Sequence, residues 1–301
     1  MSNLDDESTA ATTSNPEPAP EPAGLQLGPI GLTPAVKQDP TAAAFFDIDN
    51  TVMRGASGYF FARGLAHHDI VSTSDLLRFA WMQAKFTIAG NEDMDDFKKI
   101  TESGLAIIRG QHVDEIGEIA NEVFDEYMVD KLWPGTLALA QSHLDRGQRV
   151  WLVSATPVEV AQVVAERLGL TGALGTQAQV IDDHYTGHLM GLPMHGKAKA
   201  EAIADLATAE GLDLARCSAY SDSANDIPML SIVGNPVAVN PDHALRAHAR
   251  TAGWQIRDYR SRRFALKIGV PMAATAGLAV GMIIGAAITH RPNPPATPNP
   301  S

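Results

Sequence analysis

Two aspartates, Asp47 and Asp49, follow directly after a short apolar run, Ala43 to Phe46. The run predicts a buried strand, and alternating side chains would place both carboxylates on one side of its end. In a parallel α/β sheet this end borders the ligand crevice. Two like charges so close together need a cation, a shared proton or both. Metal-assisted chemistry, with one carboxylate as nucleophile and the other as acid or base, meets both needs. An acidic turn that caps the next helix is the alternative.

Two further segments could bind the oxygens of a phosphate. Gln148 to Val153 predicts a second buried strand, and Ser154 follows it before a helix over 158–168. A hydroxyl and backbone N–H groups at such a junction suit a phosphate oxygen, although Ser at a helix start is also an ordinary cap. Lys197 opens a helical stretch through Leu206, which places a positive charge near a helix N-terminus. A solvated surface lysine is the alternative there.

Asp222 and Asp226 supply a second pair of carboxylates. They follow a short predicted strand, Arg216 to Tyr220. Mg²⁺ takes few carboxylates and keeps several waters, so Asp47 with Asp222 is a sensible ligand set. Asp226 could then hold Lys197 or a metal-bound water in place.

The order of these residues resembles the four motifs of the haloacid dehalogenase-like phosphohydrolases. The motifs are Asp47-x-Asp49-x-Thr51, Ser154, Lys197 and Asp222-x-x-x-Asp226, and the resemblance covers roughly residues 41 to 255. The string from Asp222 to Leu230 is most similar to the phosphoserine-phosphatase-like branch, subfamily IB. The resemblance implies an α/β fold with a Rossmann-like parallel sheet core and an inserted α-helical cap, so we expect a phosphatase domain over 41–258.

The resemblance also implies a role for each residue. Asp47 would be the nucleophile that forms an aspartyl-phosphate, and Asp49 would protonate the leaving alcohol and then deprotonate the hydrolytic water. Mg²⁺ would be bound by Asp47, by Asp222 and by the backbone carbonyl of Asp49. The phosphoryl oxygens would be bound by Ser154, Lys197, Thr51 and Asn225. The acid at position 49 favours phosphatase or phosphomutase chemistry over dehalogenation, because dehalogenation has no leaving alkoxide to protonate.

Two positions depart from phosphoserine phosphatases. Their glutamate that helps to bind the amino-acid part of the substrate stands nine residues after the nucleophile, where this chain has Ala56. Their arginine for the serine carboxylate aligns with Gly104, although Arg109 is close in sequence. We therefore expect that free phosphoserine is not the preferred substrate.

The long stretch between the first two motifs predicts a domain of its own. Apolar residues recur at helical spacing over 75–89, 93–108 and 113–131. We expect residues from about 55 to 132 to form a helical cap, which would exclude water and limit the substrate to a small molecule. A packed bundle with no role in recognition is the alternative.

The segment Gly191 to Lys197 matches most of a phosphate-binding P-loop, but Ala198 stands where that motif needs a hydroxyl for Mg²⁺. Before it, Val180 to Met190 predicts a β-hairpin with a turn near Tyr185-Thr186-Gly187. A P-loop instead follows a lone parallel strand, so this match is not expected to be functional.

The N-terminal segment, residues 1–40, is rich in Pro, Ala, Ser, Thr and acidic residues, which predicts a disordered acidic tail. It lacks the basic start and apolar stretch of a signal peptide, so export is not expected. The chain has a single cysteine, Cys217, which excludes an internal disulfide framework and fits a reducing compartment.

Residues 268–289 contain no charged side chain and, as a helix, are long enough to cross a bilayer core of about 30 Å. We expect a transmembrane helix there, followed by a disordered tail over 290–301. The basic juxtamembrane segment before it, 259–267, predicts a single-pass protein of the cell (inner) membrane with a cytoplasmic catalytic domain. A buried helix of the globular domain is the alternative. The span carries a stripe of small residues that would allow a homodimer: Ala273, Gly277, Gly281 and Gly285.

The sequence as a whole predicts a membrane-anchored, Mg²⁺-dependent phosphomonoester hydrolase that acts on a small phosphorylated metabolite. Nucleic acid is not an expected partner, because the formal charge is −12 and no nucleic-acid motif occurs. Two alternatives stay open: a phosphatase of a lipid or lipid-precursor phosphate, and a non-catalytic membrane scaffold of the same fold. The complete set of acids argues against the scaffold.

Overall fold

Six short strands form one sheet in which every neighbouring pair runs parallel. The structure, a computed structural model, describes residues 39–72 and 94–260. The strands of the sheet are β1 (Ala43–Phe46), β2 (Arg149–Pro157), β3 (Gly172–Thr176), β6 (Ser218–Ser221), β7 (Asn235–Val239) and β8 (Gln255–Arg257). Their order across the sheet is β3-β2-β1-β6-β7-β8. This confirms the predicted α/β fold with a Rossmann-like parallel core.

Helices cover both faces of the sheet. They are α1 (Ser57–His67), α2 (Met94–Leu105), α3 (Val113–Val123), α4 (Pro134–Asp145), α5 (Val158–Arg167), α6 (Lys197–Glu210), α7 (Ile227–Ser231) and α8 (His243–Ala252). Because side chains alternate along a strand, Ala44 and Phe46 of β1 pack in one core, and Ala43 and Phe45 pack in the other. Helices α1, α3, α4 and α5 contribute to the first core, and α6, α7 and α8 contribute to the second.

The register of the central strands brings the motif residues to one edge of the sheet. Phe46, the last residue of β1, is level with Leu152 of β2 and with Tyr220 of β6. From β1 the chain adds β2 and then β3 on one side of the sheet, and it later adds β6, β7 and β8 on the other side. The direction in which strands are added therefore reverses at β1. Such a switch point is where ligands bind in open parallel sheets.

A helical insertion, the described residues of 57–131, lies between β1 and α4. It contains α1, α2, a 3₁₀ turn at 106–108, α3, a π-helical turn at 124–128 and a 3₁₀ turn at 129–131. Gly64 of α1 lies so close to α3 that a Cβ there would be 2.1 Å from Cγ2 of Val123. The entry and exit segments of the insertion are paired, because the N–H of Trp133 donates to the carbonyl of Val52 at 2.8 Å. The predicted helix over 113–131 is helical throughout, but its geometry changes after Val123.

A two-stranded antiparallel hairpin, β4 (Ala178–Ile181) and β5 (His184–Leu189), stands apart from the sheet. The hairpin was predicted, but the predicted turn near Tyr185 to Gly187 is wrong. The turn residues are Asp182 and Asp183, with φ of 51° and 60°. Two-residue hairpin turns favour positive φ at both positions, and Asp tolerates it better than most residues. Backbone hydrogen bonds between Tyr185 and residues 110–111 tie the helical insertion to this hairpin.

Several predicted segments lie outside the described residues. They are residues 1–38 of the N-terminal tail, the helix over 75–89, the end of the basic segment from residue 261, the transmembrane span over 268–289 and the tail over 290–301. Within 39–72 and 94–260, no helix is long and apolar enough to cross a membrane.

Candidate active site

Asp47 lies at the carboxyl end of the central strand, with a side chain that is almost fully buried. Its N–H still donates to the carbonyl of Tyr220 at 2.9 Å, so the backbone at this point continues the pairing of β1 with β6. This pairing fixes the direction of the carboxylate. Asp47 is therefore held in the position that the sequence predicts for the nucleophile.

Lys199 is the cation that binds Asp47. Its Nζ lies 2.6 Å from Oδ1 of Asp47 and 2.9 Å from Oδ2 of Asp226, and the residue is only 4% exposed. The sequence predicts that Asp226 contacts Lys197, and this contact is wrong, because the Lys197 side chain is exposed and the partner of Asp226 is Lys199. Two residues along a helix turn a side chain by about 200°, so Lys197 points away when Lys199 points inward.

A sequence signal for Lys199 existed. Lys199, Ile203 and Ala207 are the buried residues of α6, and they recur every four positions. A lysine in line with the apolar face of a helix is directed into the protein, where it needs a charged partner. Lys197 is instead part of the wall of a surface cavity of about 510 Å³, and Asn225 lines the same cavity.

Asp226 is placed as the sequence predicts, in contact with a lysine, although the lysine is Lys199. Its Oδ2 also accepts a hydrogen bond from Oγ of Ser221 at 2.7 Å. Ser221 is fully buried and was not predicted as a site residue. Together these contacts hold Asp226 where it can orient Lys199.

Thr51 and Asp222 lie together. Oγ1 of Thr51 donates to Oδ1 of Asp222 at 3.4 Å, and the carbonyl of Thr51 accepts from Oγ1 of Thr136 at 2.8 Å. Thr51 is buried, and its hydroxyl is directed at Asp222, a carboxylate that was predicted to bind metal. The predicted role of Thr51 in phosphate binding stays a prediction.

Ser154 lies where the pairing of β2 with β3 is irregular, between Val153 and Pro157. The strand was predicted to end before Ser154, but it extends through Pro157. Oγ of Ser154 accepts from the N–H of Thr156 at 3.2 Å, so a local turn fixes this buried hydroxyl. The irregularity lets the backbone around Ser154 leave the ladder at the same edge as Asp47.

Asp49 has a partner that sequence reasoning missed. Its Oδ1 accepts from the backbone N–H of Ser57 at 2.7 Å and from Oγ of Ser57 at 2.5 Å. Oγ of Ser57 is also 2.5 Å from Oγ1 of Thr156. No local pattern identifies Ser57, because a serine at the first residue of a helix is an ordinary choice.

The charges of the site do not balance. Burial raises the pKa of Asp47 to about 7, although Lys199 opposes the shift. Burial raises the pKa of Asp222 to about 8, and the charges of Asp47 and Asp226 add to the effect. Burial also raises the pKa of Asp49 against the hydrogen bonds from Ser57. Burial alone would lower the pKa of Lys199, but the carboxylates of Asp226 and Asp47 outweigh it and raise that pKa. The site thus has a net demand for positive charge.

Oxygen donors dominate the site and fit Mg²⁺. Among the described residues, no three His, Cys, Asp or Glu side chains form a metal-binding group. Mg²⁺ does not require one, because it binds through one or two carboxylates and keeps several waters. Asp47 and Asp222, whose pKa values are raised first by burial and further by neighbouring carboxylates, could supply those carboxylates.

Known proteins share this sequence and fold. The haloacid dehalogenase-like hydrolase family matches residues 44–231. A phosphoserine phosphatase of Mycobacterium tuberculosis is 48% identical over 276 residues, which cover 89% of this chain and 90% of that protein. The crystal structure of a Bordetella pertussis protein of unknown function is 26% identical, has a TM-score of 0.66, and covers 74% of this chain and 99% of its own. A substrate-bound phosphoserine phosphatase, 20% identical with a TM-score of 0.52, has the same fold over 76% of this chain and 98% of its own. Since the family match runs from β1 through the acids that follow β6, this chain belongs to the haloacid dehalogenase-like hydrolase family.

Proposed function

We propose that this phosphatase is a Mg²⁺-dependent phosphomonoester hydrolase that works through an aspartyl-phosphate on Asp47. The observation that carries the proposal is the buried amine of Lys199, which bridges Asp47 and Asp226 within an otherwise acidic cluster. A fixed cation beside a carboxylate nucleophile is what a phosphoryl group needs on arrival, because charge is then neutralised without reorganisation.

Each side chain has a defined step in this mechanism. An oxygen of Asp47 attacks phosphorus, and the P–O bond to the substrate oxygen breaks. Asp49 gives its proton to that leaving oxygen, which departs as an alcohol. The ionised Asp49 then takes a proton from water, whose oxygen attacks phosphorus, and the bond to Asp47 breaks to release inorganic phosphate.

Other residues bind and neutralise the phosphoryl group during both steps. We propose that Lys199 and Ser154 bind its oxygens, in place of the predicted pair Lys197 and Ser154. Thr51 and Asn225 remain proposed contributors. Mg²⁺, held by Asp47, Asp222 and the carbonyl of Asp49, would supply the remaining positive charge.

The decisive test of the proposed function is Asp47→Asn. An amide cannot form the acyl phosphate, so turnover of 4-nitrophenyl phosphate with Mg²⁺ should fall by about 10³-fold or more. The variant should still fold, which circular dichroism and thermal unfolding would check. A folded Asp47→Asn protein that keeps substantial turnover would remove Asp47 as the nucleophile.

We propose a small phosphorylated metabolite as the substrate, with the helical insertion as a cap that limits its size. The name of the M. tuberculosis relative argues for phosphoserine. Ala56 argues against it, since a methyl group cannot bind the substrate's ammonium. Arg109 is exposed, and its Nε lies near Gly187 of β5. A screen of phosphorylated metabolites and lipid head groups would decide between these arguments. Phosphoserine as the preferred substrate would overturn the interpretation that Ala56 disfavours it.

We propose that residues 268–289 anchor the protein in the inner membrane, with the catalytic domain in the cytoplasm and a homodimer through the small-residue stripe. The full-length protein should then stay in the membrane fraction at high salt, which would release an electrostatic attachment. Protease added outside intact cells should spare the catalytic domain. A full-length protein that fractionates as soluble would contradict the anchor, and digestion from outside would contradict the orientation.

A further inference from the structure

Ser57 is buried at the start of α1, and its hydroxyl lies between two other side chains. Oγ of Ser57 is 2.5 Å from Oδ1 of Asp49 and 2.5 Å from Oγ1 of Thr156. Oδ1 of Asp49 already accepts from the N–H of Ser57, so it is the oxygen without a proton whether or not Oδ2 carries one. The hydroxyl of Ser57 therefore donates to Oδ1 and accepts from Thr156. The three groups form a directed chain, from Thr156 through Ser57 to Asp49.

We propose that Ser57 is a positioning residue for Asp49 in proton transfer to the leaving group. The inference rests on the proposed function, in which Asp49 is the acid and base. Both donors of Ser57, its N–H and its hydroxyl, bind the same oxygen, Oδ1. They restrict rotation of the carboxyl group, and proton exchange with the substrate falls to Oδ2.

The chain of hydrogen bonds also links three parts of the fold. Asp49 belongs to the loop after β1, Thr156 belongs to β2, and Ser57 is the first residue of the helical insertion. The orientation of the proposed acid is thus set by the junction of sheet and insertion. A group placed within tenths of an ångström contributes far more to proton transfer than a mobile one.

The competing explanation is that Asp49 only caps α1. A carboxylate that accepts from the first N–H of a helix is an ordinary cap, and Ser57→Ala would keep that backbone bond. The two explanations differ in what the hydroxyl does. Only the positioning role makes the loss of the hydroxyl depend on how much protonation the leaving group needs.

The test compares phenyl phosphate with 4-nitrophenyl phosphate, both with Mg²⁺. The two substrates are similar in shape, but 4-nitrophenolate is a much weaker base than phenolate and departs without a proton. Values of kcat/KM report transfer to Asp47 and not the later hydrolysis, which is common to both. Ser57→Ala should lower kcat/KM about 10-fold or more for phenyl phosphate and less than about 3-fold for 4-nitrophenyl phosphate.

Two further variants separate the outcomes. In an Asp49→Asn background, Ser57→Ala should add less than about a twofold loss with phenyl phosphate, because the residue through which Ser57 acts is already removed. Thr156→Val, which keeps the branched shape and removes the chain's first donor, should show the same substrate dependence as Ser57→Ala to a smaller extent. Thermal unfolding checks that each variant folds.

Equal losses with both substrates in folded Ser57→Ala, or no loss with either, would overturn the positioning role while the proposed function stands. A wild-type protein that hydrolyses neither substrate, nor any phosphomonoester in a screen, would instead overturn the proposed function. A full additional loss in the Asp49→Asn background would show that Ser57 acts by another route.

Discussion

The buried amine of Lys199 holds together two carboxylates that would otherwise repel each other. Nζ reaches Asp47 and Asp226, and all three side chains are nearly inaccessible to water. Removing one member of such a group leaves an uncompensated buried charge, which costs more than the intact pair contributes to stability. Lys199 is therefore required for both the charge balance and the geometry of the site.

Substitution of Lys199 should have much larger effects on turnover and stability than substitution of Lys197 on the same helix. Lys199→Met should lower turnover by about 10²-fold or more and the free energy of unfolding by up to about 5 kcal/mol. Lys197→Met, the matched control on the exposed face, should change turnover by less than about twofold and the free energy of unfolding by less than about 0.5 kcal/mol. Steady-state kinetics and chemical denaturation measure both effects. Equal effects of the two variants would contradict the assignment.

The raised pKa values of Asp47 and Asp222 predict how pH and Mg²⁺ act on stability. Both values, about 7 and about 8, lie above the ordinary 3.8, so the metal-free fold binds more protons than the unfolded chain. The stability that these groups contribute is fully present below about pH 3.8 and is lost progressively as pH rises from there through 7 to 8. Mg²⁺ binds the ionised carboxylates and should restore it.

The gain in Tm with saturating Mg²⁺ should therefore be larger at pH 8.5 than at pH 6, as measured by thermal unfolding in matched buffers. Asp222→Asn has one carboxylate fewer to lose its proton, so the difference between the two pH values should shrink. An equal gain at both pH values in the wild-type protein would show that these carboxylates do not hold the metal.

At the scale of elements, the packing of α1 against α3 orients the start of the helical insertion. Gly64 permits this approach, because a Cβ there would meet Val123, a buried residue of α3. Helix propensity alone favours Ala over Gly inside a helix. Here the collision should outweigh that preference, since overpacking a core costs about 1–3 kcal/mol.

Two Gly→Ala substitutions should thus change the free energy of unfolding in opposite directions. Gly64→Ala should lower the free energy of unfolding by about 1–3 kcal/mol. Gly117→Ala, in the interior of α3, should raise it by about 0.5–1 kcal/mol, because nothing lies within 4 Å of a Cβ at that position. Urea denaturation measures both. Stabilisation by Gly64→Ala would mean that α1 and α3 are farther apart than described. If Gly64→Ala is destabilising, adding Val123→Ala should recover part of the lost stability, because it removes the methyl group that the new Cβ meets.

At the scale of the whole molecule, the last described residues pack back toward the loop that follows β1, which contains Asp49 and Asn50. The N–H of Tyr259 donates to Oδ1 of Asn240 at 2.7 Å, and Nδ2 of Asn240 donates to the carbonyl of Asn50 at 3.3 Å. The ring of Tyr259 lies against Gly135, where a Cβ would be 2.4 Å from it. The segment that leads toward the predicted membrane span is thus attached beside Asp49.

Tyr259→Ala in the full chain should lower the free energy of unfolding by about 1–2 kcal/mol, because the ring loses its packing against α4. Tyr59→Ala, at an exposed position of α1, is the matched control and should change stability by less than about 0.5 kcal/mol. Thermal unfolding compares the two. Similar small effects would show that the ring of Tyr259 does not pack on α4.

Local sequence was sufficient to predict β1, β2 and β6 and the acids that follow β1 and β6, but it did not predict β3, β7 or β8. Runs such as Ala43 to Phe46 are apolar because β1 is buried on both faces, and the register of β1 with β6 brings Asp47 and Asp222 to one edge. The sequence likewise predicted helices at α2, α3, α5 and α6. The motif acids could therefore be placed by number before any contact was known.

Contacts between segments that are distant in sequence determine which other side chains enter the site. Lys199 and Asp47 are separated by 152 positions, and Ser57 and Thr156 by 99, so no local pattern records either contact. Which lysine of α6 enters the site depends on how that helix is rotated against the sheet, which its packing through Ile203 and Ala207 controls. The orientation of Asp49 likewise depends on where α1 meets β2. Strand ends follow from short-range burial and periodicity, whereas the rotation and approach of helices follow from packing across the whole fold.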